Sequence, residues 1–243
     1  MSKHVQTIPY TLTVGEAIEK MAEKNVGSLV VMSGKDPIGI LSERDLVSRL
    51  MAKGKTAENT IVSDVMSGEI VKFLPGQSLK DAAKTMNSKK NRLLVFDGNH
   101  LVGIVTATDI VRAVHEMSSS FNIGRTVMKS VYTINEETSL QQAVEIMTQL
   151  RVGSLIIMKN GEPDGIFTEW DLVRNVLVPH LDLSQPVGGQ ASRPLITAET
   201  GINGREAADI MTANHIKRLP LTRDGIIVGI VTARDLVEAF ANS

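Results

Sequence analysis

The feature that most limits how this chain can fold is a seven-residue pattern written four times. "GILSERD" (39–45), "GIVTATD" (103–109), "GIFTEWD" (165–171) and "GIVTARD" (229–235) each give glycine, two apolar residues, a hydroxyl, and aspartate three places after the hydroxyl. The aspartates Asp45, Asp109, Asp171 and Asp235 stand 64, 62 and 64 positions apart, by subtraction of successive numbers. A fixed period has to be honoured before elements are assigned, because each repeat is one supersecondary unit. Counting back 17 residues from each aspartate reaches Ser28, Arg92, Ser154 and Arg218, each ahead of an apolar run (LVVM, LLVF, LIIM, LPL), so the register extends well outside the motif.

Each unit opens with a short strand (VQTI, IVKF, VYTI, LITA) and continues into a helix whose apolar residues recur every three or four positions, as Ala17, Ile18, Met21 and Ala22 do. Thr13, Ser78, Ser139 and Asn203 read as the N-caps of these helices. Eight residues after each cap comes Met21, Met86, Met147 or Met211, which falls on the apolar face and is expected in the core. Two strands joined by a turn follow; in repeat two the turn is Asp97-Gly98-Asn99, where Gly and Asn tolerate positive φ. A second helix begins at the motif. The expected fold is a mixed α/β chain of four β-α-β-β-α units. A unit of about 50 residues barely encloses its own apolar surface, so each has to pack on a neighbour.

The repeats alternate in character. The odd ones carry NVGSLVVM and RVGSLIIM, the even ones NRLLVF and KRLPLT, and Asp45 to Asp171 spans the same 126 positions as Asp109 to Asp235. A duplicated pair accounts for this, and divides the chain into 1–124 (repeats about 1–54 and 62–117) and 125–243 (repeats about 125–180 and 187–243), with the polar stretch 115–124 between them.

Composition removes several function classes. A formal net charge of −1 and 3% aromatic residues supply neither the positive field nor the stacking rings that nucleic-acid binding uses. Without cysteine there is no disulfide, thiolate metal site or thiol nucleophile, which fits a reducing compartment. The start lacks a secretory apolar core and no apolar run approaches the roughly 18–20 residues that span a bilayer, so the expectation is a cytoplasmic protein that does not enter the membrane. The five histidines show no metal-ligand spacing, and no Walker loop, dinucleotide fingerprint or nucleophile elbow is present. An enzyme is therefore not expected, and neither a cofactor nor a metal.

Four motifs in register, each 17 residues after an aligned position and in this element order, resemble tandem cystathionine beta-synthase (CBS) domains, and the resemblance covers nearly the whole chain. It implies two Bateman modules, each made of two repeats joined through their sheets about a pseudo-two-fold axis. It further implies two clefts per module that accept adenosine-containing ligands: AMP, ADP, ATP or S-adenosylmethionine. In CBS-containing enzymes and transporters the chemistry lies in another domain, so the resemblance implies a regulatory binding protein that reports occupancy to a separate effector.

Two explanations of [ST]-x-x-D stand side by side. One is a capping box, in which the hydroxyl takes a free helix N–H and the acid reaches back. The first helices offer a control: their boxes pair Thr13 with Glu16, Ser78 with Asp81, Ser139 with Gln142 and Asn203 with Glu206, so the acid varies there, whereas the second box holds Asp four times. The other is a ligand role, since a carboxylate can accept from both hydroxyls of a ribose through charge-assisted bonds. Phosphate then needs cations, supplied by the forked donors of Arg92 and Arg218, with Lys217 beside one and Lys89 and Lys90 ahead of the other. The hydroxyls of Ser42, Thr106, Thr168 and Thr232 are offered to ribose or phosphate, and Thr7, Thr133 and Thr197 share a first-strand position that often contacts ligand in the family. Repeat two has Lys72 there, and the odd repeats have Ser28 and Ser154 in place of arginine. One strong site per module is expected, with phosphate on the even-repeat arginine side. The alternatives kept open are a structural dimerisation or interaction module without a nucleotide, a sensor of S-adenosylmethionine or Mg²⁺, and either a closed four-repeat disc or a homodimer. Trp170, where repeats one and four have Arg44 and Arg234, is read as covering a cleft or a neighbouring module.

Overall fold

The structure, a computed structural model, describes residues 1–89, 92–117, 121–123 and 130–243; Lys90 and part of the 115–124 stretch therefore lie outside the described residues. Repeat one runs β1 (Thr7–Pro9), α1 (Val14–Glu23), β2 (Ser28–Ser33), β3 (Asp36–Ser42) and α2 (Glu43–Asp45). Repeat two runs β4 (Val71–Phe73), α3 (Leu79–Lys89), β5 (Leu93–Asp97), β6 (His100–Val105) and α4 (Ala107–His115). Repeat three gives β7 (Thr133–Asn135), α5 (Leu140–Leu150), β8 (Ser154–Lys159), β9 (Glu162–Thr168) and α6 (Glu169–Asp171). Repeat four gives β10 (Ala198–Glu199), α7 (Gly204–Ala213), β11 (Arg218–Arg223), β12 (Ile226–Thr232) and α8 (Ala233–Asn242). Each repeat owns a three-stranded sheet with its second strand central, parallel to the first strand and antiparallel to the third. The expected β-α-β-β-α order holds four times.

The local reasons are those the sequence carries. Thr13, Ser139 and Asn203 cap α1, α5 and α7 through reciprocal boxes, and the Ser78 backbone N–H and hydroxyl donate to Asp81 at the head of α3. The hydroxyl and then the amide of Ser78 hold the Asp81 carboxyl below the usual carboxylate range. Gly98 turns the β5–β6 hairpin at φ +56°, as its place in a tight turn requires. Met21, Met86, Met147 and Met211 are all buried in the core.

One expectation is corrected. The second helices of the odd repeats are not continuous α-helix: after a single turn they widen into π-helical turns, Leu46–Leu50 and Leu172–Leu177, where Met51 N–H bonds Leu46 O and Val178 N–H bonds Val173 O. The wide turns carry Arg49 and Asn175, whose side chains reach out to the backbone of a neighbouring segment. Arg49 donates to Val65 O (3.3 Å) and to Met66 O, and Asn175 to Gln190 O (3.0 Å). The corresponding residues of α4 and α8 are Ala113 and Ala239, and both helices stay regular.

The chain forms two compact units that join alternate repeats. One comprises residues 1–5, 70–131 and 196–243, holding repeats two and four; the other comprises 6–69 and 132–195, holding repeats one and three. In the first unit the four helices share one core in which Ala82, Ala83, Ala207, Ala208 and Ala241 let the backbones approach closely, and the Phe121 and Phe240 rings meet at a tilt with centroids 5.6 Å apart. In the second unit the two repeats exchange one buried residue each: Val173 enters the cluster of Ile8, Met21, Leu29 and Leu41, while Val47 enters that of Leu140, Met147, Leu155 and Phe167. Both valines lie two residues after a motif aspartate, so the exchange is symmetric. Trp170 packs against the first repeat's cluster within this unit. The compact units group alternate repeats, where the sequence leads to the expectation of consecutive pairs, 1–124 and 125–243.

Candidate functional site

All four motif aspartates fold back on their own caps. The Oδ2 of Asp45 accepts from the Ser42 backbone N–H (2.9 Å) and Oγ (2.5 Å). That of Asp109 accepts from Thr106 (2.9 and 2.7 Å), that of Asp171 from Thr168 (2.7 and 2.6 Å), and that of Asp235 from Thr232 (2.8 and 2.7 Å). The threonine hydroxyls in turn accept from the Asp109, Asp171 and Asp235 backbone N–H groups. The first helix N–H is also engaged: Glu43 donates to Gly27 O, Glu169 to Gly153 O and Ala233 to Lys217 O. These helix starts have little backbone N–H left for phosphate, which favours cationic side chains as its partners.

The capping geometry matches that of the first helices, so a further contact is what separates the two boxes. The other oxygen, Oδ1, faces a serine arriving from a distant segment: Ser67 Oγ donates to Asp45 (3.3 Å), Ser2 Oγ to Asp109 (3.3 Å) and Ser192 Oγ to Asp171 (2.6 Å). Arg49 Nε adds an ion pair to Asp45 Oδ1 at 3.6 Å. Each serine also bridges the outer edge of the motif strand, Ser67 with Ile40, Ser2 with Ile104 and Ser192 with Ile166. This explains the glycine of the motif. A Cβ on Gly39 would stand 2.6 Å from Ser67 O, one on Gly103 3.2 Å from Ser2 O, and one on Gly165 2.8 Å from Ser192 O. Sequence reasoning missed these serines. Their signal was there, since each lies five residues before an aligned first-strand position: Thr7, Lys72 and Thr197.

The residue 17 before the aspartate lands beside the motif hydroxyl. Ser28 pairs with Ser42, Ser154 with Thr168 and Arg218 with Thr232, while Arg92 immediately precedes Leu93, the partner of Val105. Hydroxyl, carboxylate and, in repeat four, guanidinium are therefore gathered at one end of a hairpin, with Lys217 one residue further out. Asp45, Asp171 and Asp235 are only 6, 5 and 3% exposed. The first-strand threonines do not join this group within a repeat. Thr7 and Thr133 pair with the far side of the central strand, roughly 10 Å from the motif strand, and Thr197 precedes the two-residue β10. Lys72 lies over the Phe96 ring at 5.1 Å. The odd repeats place Glu43 and Glu169, both 6% exposed, directly after the motif hydroxyl, and Arg44 Nε pairs with Glu169 at 3.2 Å. The even repeats have Ala107 and Ala233 there. Among the described residues no cluster of three metal-ligating side chains occurs, and no helix is long and apolar enough to cross a membrane.

Four small α/β units, each opening its second helix on a capped aspartate and, among the described residues, three of them gripped along the third strand by a crossing segment, define a tandem-repeat protein of one domain type. The CBS domain matches residues 1–52, 62–116, 123–178 and 189–242, and the chain belongs to that family. Among curated relatives, the uncharacterized protein MJ1225 of Methanocaldococcus jannaschii is 29% identical over 190 residues, which are 72% of this chain and 67% of that protein. The CBS domain-containing protein YhcV of Bacillus subtilis is 38% identical over 120 residues, 49% of this chain and 84% of YhcV. A second M. jannaschii protein, the uncharacterized MJ1404, is 26% identical across the full chain, which spans only 61% of its length. In structure, MJ1225 superposes with a TM-score of 0.81 at 21% identity, covering 99% of this chain and 97% of MJ1225; its crystal structure presents it as a candidate archaeal homolog of g-AMPK. An uncharacterized conserved protein from Pyrococcus horikoshii gives 0.68 at 22% identity with the same coverage. At these identities both likenesses establish the fold.

Proposed function

We propose that this chain is a regulatory binding protein for adenine nucleotides, AMP, ADP or ATP, which passes occupancy to a separate effector chain. The observation that carries the reading is in repeat four: Arg218 is the cross-strand partner of Thr232, and Asp235 opens the helix three residues later. An anion-binding fork and a diol acceptor thus stand on one hairpin end, the two chemistries a nucleotide presents. The even repeats carry the stronger sites, and the odd repeats offer their aspartates to the sugar alone. Phosphate lies toward Arg92 and Arg218, because Glu43 and Glu169 would repel it at the odd-repeat turns. MJ1225, the candidate g-AMPK homolog, supports this at the level of fold. The work proposed is binding rather than catalysis, and regulation requires that the ligand favour one of two states.

A thermal shift panel tests it. A nucleotide at about one hundred times its dissociation constant stabilises by roughly 2.7 kcal/mol, a rise in Tm of about 5–10 °C for a chain of this size. A second reading, a scaffold whose aspartates serve only as caps, is favoured by the commitment of every Oδ2 to the cap. It wins if AMP, ADP and ATP all leave Tm unmoved, whereas a response to S-adenosylmethionine alone would keep the sensor and change its ligand.

A further inference from the structure

The serines that meet Asp45 and Asp171 belong to the linkers that lead into repeats two and four. Ser67 precedes β4 by four residues, and Ser192 comes six residues ahead of β10. A carboxylate has about four acceptor positions. At Asp171, two are taken by the Thr168 N–H and hydroxyl and a third by Ser192 Oγ at 2.6 Å. At Asp45 the same three positions go to Ser42 and Ser67, and Arg49 Nε stands 3.6 Å from the same Oδ1 that Ser67 meets. A ribose diol brings two donors and finds one position left. The cap cannot yield without uncovering the helix start, so the serine is the partner that has to leave.

We propose that Ser67 and Ser192 are resident occupants of the sugar subsite, intramolecular stand-ins for a ribose hydroxyl, which the ligand displaces on binding. The inference rests on the sensor reading and adds its transmission step. Displacement frees one anchor of the linker and weakens the adjoining bridges Ser67–Ile40 and Ser192–Ile166, while Arg49 on Val65 O and Met66 O and Asn175 on Gln190 O hold. The ligand therefore loosens the segment without detaching it. Because the linker runs on into the first strand of the next repeat, occupancy at an odd-repeat aspartate is felt in the even repeat that follows. The device also supplies the unequal affinity that regulation demands, since only the serine-released state presents a full diol acceptor.

The test uses the full chain with AMP and with adenosine, which carries the diol without phosphate, and compares wild type with the S67A/S192A and S67T/S192T double variants. Removing the hydroxyls deletes the competitor, so the alanine variant should bind AMP roughly three- to tenfold tighter. The threonine variant, which keeps the hydroxyl, should bind like wild type. Amide exchange gives an independent readout. The Ser67 and Ser192 N–H groups donate to Ile40 O (2.9 Å) and Ile166 O (2.8 Å) in the serine-bound linker, and their exchange should quicken when ligand is added to wild type. AMP binding with unchanged or weaker affinity in the alanine variant and no change in exchange at 67 and 192 overturns this inference and leaves the sensor reading standing. Failure of every form to bind AMP, ADP, ATP or adenosine overturns both.

Discussion

Asp235→Asn weakens AMP binding at its site about a hundredfold, while the Tm of the ligand-free protein stays within a degree or two of wild type. The two halves of this result have separate causes. Asparagine still presents one carbonyl oxygen, enough to accept from the Thr232 N–H and hydroxyl that Asp235 Oδ2 now accepts at 2.8 and 2.7 Å. The chain itself shows that an amide can do this work: in α5 the box is Ser139 with Gln142, whose Oε1 accepts the Ser139 N–H. The cap therefore survives. The second oxygen becomes an NH₂ group, and the charge is gone. Two charge-assisted bonds to the diol, each worth about 1.5–3 kcal/mol, cannot both be remade, and about 2.8 kcal/mol corresponds to a hundredfold. Isothermal titration of AMP with parallel melting curves checks it. A melting loss as large as the binding loss would make Asp235 a cap and nothing more.

Most of the fold was legible because it is repeated. The register of Asp45, Asp109, Asp171 and Asp235 fixed four units, and the N-caps and methionines aligned within it all took the places expected of them. What could not be read belongs to segments that cross between elements distant in sequence. Nothing local to Leu46–Leu50 predicts a π-helical turn, because residues with the same apolar spacing stay α-helical in α4. The difference lies in Arg49, whose partners at Val65 and Met66 are 16 and 17 positions away. The pairing of alternate repeats into compact units escaped for the same reason: Val47 and Val173 read as ordinary core residues of their own helices, yet each completes the other repeat's cluster. Of the candidate site, the parts that lie on one hairpin were legible. Asp, hydroxyl and Arg218 were singled out and the structure brings them together, while Ser67 and Ser192 look in the sequence like linker polarity.

Gly165→Ala is the second large effect, and it falls on stability. The motif glycine sits opposite Ile157 beside the register shift of the β8–β9 hairpin, and the Ser192 segment lies across it. An added Cβ would be 2.8 Å from Ser192 O and 3.1 Å from the Arg193 side chain. The carbonyl cannot retreat freely, because it accepts from Ile166 N–H at 3.1 Å, and neither can Arg193, which is paired with Asp164 at 2.5 Å and bonded to Gly188 O at 2.6 Å. Overpacking against a held backbone costs about 1–3 kcal/mol, or roughly 2–10 °C in Tm for a chain of this length. Gly68→Ala is the control: its Cβ would meet nothing within 4 Å and its φ is not positive, so it should be neutral or slightly stabilising through the unfolded state. Gly165→Ala should also pull Ser192 away from Asp171, so its amide at 192 should exchange faster even without ligand. Equal melting temperatures for the two alanine variants would mean that the crossing segment does not press on the strand, and the glycine would then need another explanation.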